Sequence, residues 1–150
     1  MGRKRIVKTY KDTRAKGDRS RIEGHRYLVR VDLVSIKMEK EADSVGATSE
    51  IYIHCPGRFS RTPNEGTFNI ERNEVFKPTG GITVYSRMRE KKGGETVEIS
   101  FKVFDQDLGR DDKLVDTKLS ITLGQSKEYI SFIENGVKVK ISVAANHSRF

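Results

Sequence analysis

The segment from residue 96 to residue 116, TVEISFKVFDQDLGRDDKLVD, constrains the fold of this chain most. Val97, Ile99, Phe101 and Val103 alternate with polar residues, and this period of two predicts a half-buried β-strand with one apolar face on a core. The strand runs directly into a loop that is rich in aspartate. The segment therefore predicts a β-sheet with acidic side chains gathered at one end.

The acidic loop carries carboxylates that repel one another, and Arg110 and Lys113 offset only part of this repulsion. A hard divalent cation would offset it better, and Ca²⁺ takes about six to eight oxygen ligands from flexible loops of this kind. The spacing is not that of an EF-hand, because Arg110 replaces the required Gly and Asp116 the required Glu. A solvated acidic turn that binds no metal remains the alternative. The four carboxylates are those of Asp105, Asp107, Asp111 and Asp112.

Alternation and turn signals divide the rest of the chain into short strands without a convincing helix. Asn135-Gly136 is the strongest hairpin signal, because both residues tolerate φ > 0. Ile82, Val84 and Met88 are expected to face inward. The pattern predicts an all-β fold, an antiparallel β-sandwich of roughly seven to eight strands. The predicted strands are Arg26–Ser35, Glu50–His54, Thr67–Ile70, Ile82–Arg89, Thr96–Phe104, Asp116–Leu123, Lys127–Ile133 and Val137–Val143, with a short edge strand at Arg5–Thr9.

Positive charge is concentrated near the N-terminus. The net charge of the chain is +8. Residues 1–26 hold ten Lys or Arg and three Asp or Glu, whereas residues 27–150 hold nineteen Lys or Arg and eighteen Asp or Glu. We therefore expect a basic arm over residues 1–25 and one β-sandwich domain over residues 26–150. Such an arm attracts phosphate, although a solvated leader would have the same composition. The candidate phosphate-binding residues are Arg3, Lys4, Arg5, Lys8, Lys11, Arg14, Lys16, Arg19 and Arg21.

Other classes of protein are not indicated. No apolar run is long enough to span a membrane, and the basic N-terminus lacks the apolar region of a secretory signal. The single cysteine, Cys55, excludes an internal disulfide framework, and it makes a poor zinc pair with His54 on the opposite strand face. No phosphate-binding glycine loop or nucleophile–histidine motif is present. We expect a cytoplasmic, non-enzymatic protein without a small-molecule substrate.

The stretch VFDQDLGRDDKL resembles the third loop of a C2 domain, the calcium- and phospholipid-binding β-sandwich. The stretch LVRVDLVSIKMEKEADSVGATSEIYIHC resembles its first loop, with Asp43, then Gly46, then Glu50. The resemblance covers roughly residues 26 to 143. It implies a Ca²⁺ ion between two loops at one end of the sandwich. The implied ligands are Asp43 and Glu50 from the first loop, with Asp105, Asp107 and either Asp111 or Asp112 from the third.

Two functional hypotheses follow. In the first, calcium neutralises the acidic loops of a C2-type binding module, an anionic phospholipid headgroup completes the coordination, and the basic arm adds attraction to the membrane surface. The protein would then associate peripherally with anionic membranes. In the second, the chain is a coat-like structural or assembly protein whose arm holds nucleic acid or a neighbouring subunit, since phosphate contacts need no sequence readout. The sequence leaves both open.

Overall fold

The computed structural model shows an antiparallel β-sandwich, which confirms the all-β fold expected from the sequence. It describes residues 26–39, 48–56, 61–106 and 109–148, and the backbone of residues 5–9. Within these ranges there is no helix that is long and apolar enough to cross a membrane. The described strands are β1 (Arg5–Thr9), β2 (Arg26–Met38), β3 (Thr48–His54), β4 (Phe68–Glu71), β5 (Val75–Phe76), β6 (Ile82–Glu90), β7 (Thr96–Asp105), β8 (Asp112–Thr122), β9 (Glu128–Glu134) and β10 (Val137–Ser148).

The strands form two sheets of unequal size. The six-stranded sheet has the order β1-β9-β10-β2, and both β5 and β6 pair with the remaining edge of β2. The four-stranded sheet has the order β4-β3-β7-β8. The pairing of the described strands is antiparallel throughout, as the sandwich prediction requires. The two-residue strand β5 is an element that the sequence did not predict.

The core lies between the two sheets and is built from alternate residues of the long strands. The predicted inward face of β7, from Val97 to Val103, is buried. The rings of Phe101 in β7 and Phe132 in β9 meet edge to face, with centroids 5.6 Å apart and planes at 90°. Such pairs stabilise a core beyond the area that they bury. The contact therefore joins the two sheets.

Two bulges change the direction of side chains in the six-stranded sheet. Val34 is an extra residue opposite β10, so that Ile36 again faces the core and β2 continues beyond its predicted end. Val84 is an extra residue opposite β2, and Tyr85 is buried beside it. The prediction that Met88 faces inward is therefore wrong: its side chain is 41% exposed. The error arose because unbroken alternation was assumed, whereas a bulge shifts every following residue.

Local signals correctly predicted both the last hairpin and the first strand. The turn between β9 and β10 has φ of 50° at Asn135 and 75° at Gly136. The edge strand Arg5–Thr9 is present as β1, and it pairs with β9 from Arg5 opposite Ile133 to Thr9 opposite Tyr129. The start of the basic arm is thus part of the six-stranded sheet. The boundary at residue 25 stays a prediction, because residues 10–25 lie outside the described ranges.

Candidate functional site

The acidic loop connects β7 and β8 at one end of the four-stranded sheet. β7 ends at Asp105 and β8 begins at Asp112, and these two residues are paired directly across the strands. β8 was predicted to begin only at Asp116. The earlier residues were missed because Leu114 is an extra residue opposite β7, and this bulge breaks the alternation of the sequence. Like charges that lie directly opposite in a sheet are unfavourable. The structure therefore concentrates negative charge at this end, as the sequence indicated.

The main chain of β3 contacts the acidic loop. The backbone N–H of Glu50 donates to Oδ1 of Asp105 at 3.2 Å, and the backbone N–H of Gln106 donates to the carbonyl oxygen of Glu50 at 2.8 Å. These two bonds attach the beginning of β3, which follows the first loop, to the beginning of the third loop. The contribution of Glu50 to this contact is made by its backbone.

Asp111 is held by a side chain of β3. The hydroxyl of Tyr52 donates a hydrogen bond to Oδ2 of Asp111. Burial raises the pKa of Tyr52; the hydrogen bond to Asp111 and the negative charge of that carboxylate act in the same direction, and Arg61 acts in the opposite direction. Tyr52 therefore remains a hydrogen-bond donor at neutral pH. This contact fixes the end of the acidic loop to the outer face of the four-stranded sheet.

A cluster on this outer face, which we call the loop platform, comprises Tyr52, Arg61, Phe104 and Asp111. The rings of Tyr52 and Phe104 stack, with centroids 5.1 Å apart and planes at 14°. The guanidinium of Arg61 lies 4.2 Å from the Tyr52 ring centroid and donates to Oε1 of Gln106 at 3.4 Å. Contacts of this kind stabilise by about 0.5–1.5 kcal/mol each. The platform thus attaches two loops to β3 and β7.

The structure brings together only part of the predicted calcium site. Among the described residues, no three His, Cys, Asp or Glu side chains are grouped so that they could hold a metal ion. The described carboxylates therefore do not by themselves fit Ca²⁺, which takes about six to eight oxygens. The calcium site stays a prediction. Of the candidate ligands, Glu50, Asp105, Asp111 and Asp112 are described, whereas Asp43 and Asp107 lie outside the described residues.

The candidate phosphate-binding residues of the arm are described only in part. Arg5 and Lys8 lie in β1, where their backbones are paired with Ile133 and Ile130 of β9. The pairing places them on the edge of the six-stranded sheet. The remaining candidates lie outside the described residues: Arg3, Lys4, Lys11, Arg14, Lys16, Arg19 and Arg21.

Cys55 is not a reactive thiol. Its side chain is a free, buried cysteine at the end of β3, and burial raises its pKa to about 12. The thiolate is the nucleophilic form of cysteine. A thiol with this pKa is almost entirely protonated at neutral pH, so Cys55 contributes packing to the core.

A second charged surface was missed in the sequence. Lys138 and Lys140 of β10 are exposed and alternate with the buried Val137 and Val139, and Lys138 is paired directly opposite Lys37 of β2. The Val-Lys alternation after Asn135-Gly136 was the available signal, since a strand that buries one face exposes the other. The lysine face, as we call this surface, consists of Lys37, Lys127, Tyr129, Lys138 and Lys140.

The architecture is similar to part of a human enzyme of known structure. Human GIVD cytosolic phospholipase A2, in complex with methyl gamma-linolenyl fluorophosphonate inhibitor and terbium chloride, matches with a TM-score of 0.54 and 8% identity, over 83% of this chain and 18% of that chain. The same enzyme in complex with methyl gamma-linolenyl fluorophosphonate gives the same values. A structure described as a C2 domain matches over 80% of this chain and 98% of its own, with 12% identity and a TM-score of 0.47.

The protein has a C2-like fold, which confirms the resemblance found in the sequence. It spans less than a fifth of the length of the phospholipase chain. A comparison with protein-family models gave no match, and a comparison with curated proteins gave none either. At these low sequence identities the similarity concerns the fold alone.

Proposed function

We propose that the protein is a non-enzymatic binding module of C2 type that associates with anionic phospholipid membranes. The observation that carries this proposal is the pairing of β1 with β9, which attaches the basic arm to a C2-like sandwich. Residues 1–26 hold ten Lys or Arg and three acids. Each basic residue near an anionic bilayer contributes about 1 kcal/mol of attraction. An arm that begins on the sheet would add its charge to that of the domain.

The comparison with known structures supports the choice of a lipid partner. The human protein with a similar fold is named as a phospholipase, and its name indicates a phospholipid substrate. We transfer to this chain the class of partner and not the catalytic activity. The alternative, a coat-like protein whose arm holds nucleic acid or a neighbouring subunit, receives no support from the comparisons.

The proposal includes a dependence of membrane binding on calcium. Asp105 and Asp112 are paired at the end of the four-stranded sheet, and a divalent cation would reduce their mutual repulsion. Further oxygens would have to come from Asp43 and Asp107, and Asp111 would first have to leave Tyr52 or serve both partners. Bound Ca²⁺ would supply a positive charge that links these carboxylates to a lipid phosphate.

The test is co-sedimentation of the full chain with phosphatidylcholine vesicles that contain or lack phosphatidylserine, each with calcium and with chelator. We expect binding to the anionic vesicles alone, with weaker binding at high NaCl because salt screens exposed charges. Calcium should strengthen the binding. Equal binding with calcium and chelator would reject the calcium part, whereas no binding in either condition would reject the proposed function.

A variant of the arm isolates its contribution. Replacing its basic residues beyond β1 by Gln should weaken binding about fivefold for each charge that lies near the bilayer. A matched control removes the same number of charges from the domain and should bind much more like the wild type. The arm variant changes Lys11, Arg14, Lys16, Arg19 and Arg21, and the control changes Lys77, Lys91, Lys92, Lys102 and Lys118.

A further inference from the structure

The lysine face lies on the outer side of the six-stranded sheet, where β2, β9 and β10 adjoin. Lys138 is paired with Lys37 on one side and with Ile133 on the other, and Lys140 follows two residues later in β10. Alternate residues of a strand point to the same face. Like charges directly opposite in a sheet are destabilising, so the placement of these lysines is not explained by the stability of the sheet.

Acidic side chains neutralise little of this charge. The Nζ of Lys37 lies 3.6 Å from Oε2 of Glu39, and about a third of each side chain is exposed. Ion pairs that are open to solvent contribute little, because water screens the two charges. Among the described residues, Lys138 and Lys140 form no ion pair. Asp32, an acid on the same face, is already bonded to side chains of β2 and β6. The positive charge of the face is therefore largely uncompensated.

The ring of Tyr129 lies near two of the lysines. Its ring centroid is 5.3 Å from Nζ of Lys140 and 5.9 Å from Nζ of Lys127. Both distances lie within the reach of a cation–π interaction. Tyrosine is also favoured at membrane interfaces, since its ring is apolar and its hydroxyl is polar.

The backbone pairing of β1 places Arg5 in the same cross-strand row as Lys138. Arg5 is paired with Ile133, Ile133 with Lys138, and Lys138 with Lys37. Lys37 is also paired with Val75 of β5, so basic residues occupy three of the five positions of this cross-strand row. Because neighbouring strands are about 4.8 Å apart, the part of the row from Arg5 to Lys37 is about 14 Å long. The pairing of β1 thus places a residue of the basic arm in line with the lysines of the domain.

We infer that the lysine face is the surface with which the protein lies against the phosphate groups of an anionic bilayer. The inference rests on the proposed function and deepens it by naming the contact surface. Lysine is a compact point charge without the bidentate geometry of arginine, which suits a plane of headgroups. Proteins that bind single-stranded nucleic acids offer aromatic side chains on which the bases stack. Among the described residues, the stacked pair Tyr52 and Phe104 lies on the opposite face of the sandwich, away from the lysine face.

The position of the lysine face is compatible with a contribution from the acidic loops. Nδ2 of Asn135, in the turn that precedes Lys138, donates to the carbonyl oxygen of Leu114 at 2.7 Å. Leu114 follows the acidic loop at the beginning of β8. The lysine face therefore extends towards the same end of the sandwich as the acidic loop, so one bilayer could contact both.

The test uses the full chain with Lys127, Lys138 and Lys140 each replaced by Gln, titrated with phosphatidylserine-containing vesicles in chelator. We expect about a hundredfold weaker binding, since each lysine near the surface contributes about fivefold. The matched control replaces Lys92, Lys102 and Lys118 by Gln; it has the same net charge, and its binding should stay within a few fold of the wild type. Circular dichroism and Tm should show that both variants are folded.

The outcomes separate this inference from the proposed function. If the wild type binds anionic vesicles and the variant of Lys127, Lys138 and Lys140 binds them equally well, the inference is overturned and the proposed function stays in place. Equal losses in both variants would also overturn it, because net charge alone would then explain the binding. A wild type that does not bind anionic vesicles would overturn the function together with the inference, and binding to nucleic acid instead would support the alternative partner.

Discussion

The outer faces of the two sheets both carry lysines, but the lysines have different neighbours. On the four-stranded sheet, Nζ of Lys113 lies 2.8 Å from Oδ2 of Asp116, and Lys102 is paired directly opposite the same aspartate. On the six-stranded sheet, Lys138 is paired opposite Lys37. The first arrangement places lysines next to an aspartate, whereas the second places two lysines opposite each other, with Glu39 near Lys37 alone. Strand pairing thus sets which charges a surface lysine has as neighbours.

Charge reversal on the six-stranded sheet should have the largest effect. Lys138→Glu with Lys140→Glu changes the charge of the lysine face by four units, and binding to phosphatidylserine vesicles should fall several hundredfold. Tm should stay nearly constant or rise, because a glutamate at position 138 faces Lys37. The control, Lys92→Glu with Lys118→Glu, should retain most of the binding. A vesicle titration in which the two double variants bind alike would remove the distinction between the faces.

The buried end of β3 should control stability at alkaline pH. Burial raises the pKa of Cys55 from 9.0 to about 12, so the folded state favours the neutral thiol. This stabilisation is fully present below the pKa of the unfolded state and is lost as the pH rises towards the folded pKa. The loss is on the order of 4 kcal/mol between the two pKa values.

Denaturant unfolding of the wild type and of Cys55→Ala measures this loss at several pH values. The variant should be less stable at neutral pH because it leaves a small cavity. The difference between the two proteins should shrink as the pH rises above about 9. Parallel stability curves across this range would show that the thiol is not buried in the folded state.

A pair of tyrosine variants compares the two faces directly. Tyr52→Phe removes the hydrogen bond to Asp111 and should lower the free energy of unfolding by about 1 kcal/mol, with little change in vesicle binding. Tyr129→Phe keeps the ring that lies near Lys127 and Lys140 and should leave stability nearly unchanged. Thermal unfolding of both variants measures these changes in stability. An unchanged Tm for Tyr52→Phe would mean that the loop platform does not stabilise the sheet.

The smallest expected effect comes from making the lysine face resemble the other sheet. Ser131 is paired opposite Lys140, and Ser131→Asp would give that lysine an acidic partner. Vesicle binding should fall about fivefold, while stability rises by a few tenths of a kcal/mol. Ser131→Asn controls for the change of shape. If the aspartate leaves binding intact, uncompensated charge is not what distinguishes the face.

The sandwich could be predicted because its signals are local. The alternation from Val97 to Val103 depends on a period of two, and the Asn135-Gly136 turn depends on two residues that accept positive φ. Both can be seen in short windows of sequence. The edge strand Arg5–Thr9 was also found, since Ile6 and Val7 are the apolar residues of a short segment in an otherwise basic arm.

The missed features depend on pairings between distant parts of the chain. The bulges at Val84 and Leu114 follow from strand register, which no short window shows. The stack of Arg61 on Tyr52 joins a loop to a strand. The lysine face required the alignment of Lys138 with Lys37, which are about a hundred residues apart in the sequence. The four aspartates of the acidic loop, by contrast, could be seen in the sequence because they lie within eight residues, from Asp105 to Asp112.

Lysine footprinting of the wild-type chain tests the central claim most directly. An amine-reactive reagent would be applied with phosphatidylserine-containing vesicles, with phosphatidylcholine vesicles and without vesicles, and the modified lysines would be identified by mass spectrometry. We expect the anionic vesicles alone to protect Lys138 and Lys140, while Lys92 and Lys118 stay as reactive as in free protein. Protection of Lys92 and Lys118 instead, or no protection of any lysine, would contradict a membrane contact through the six-stranded sheet.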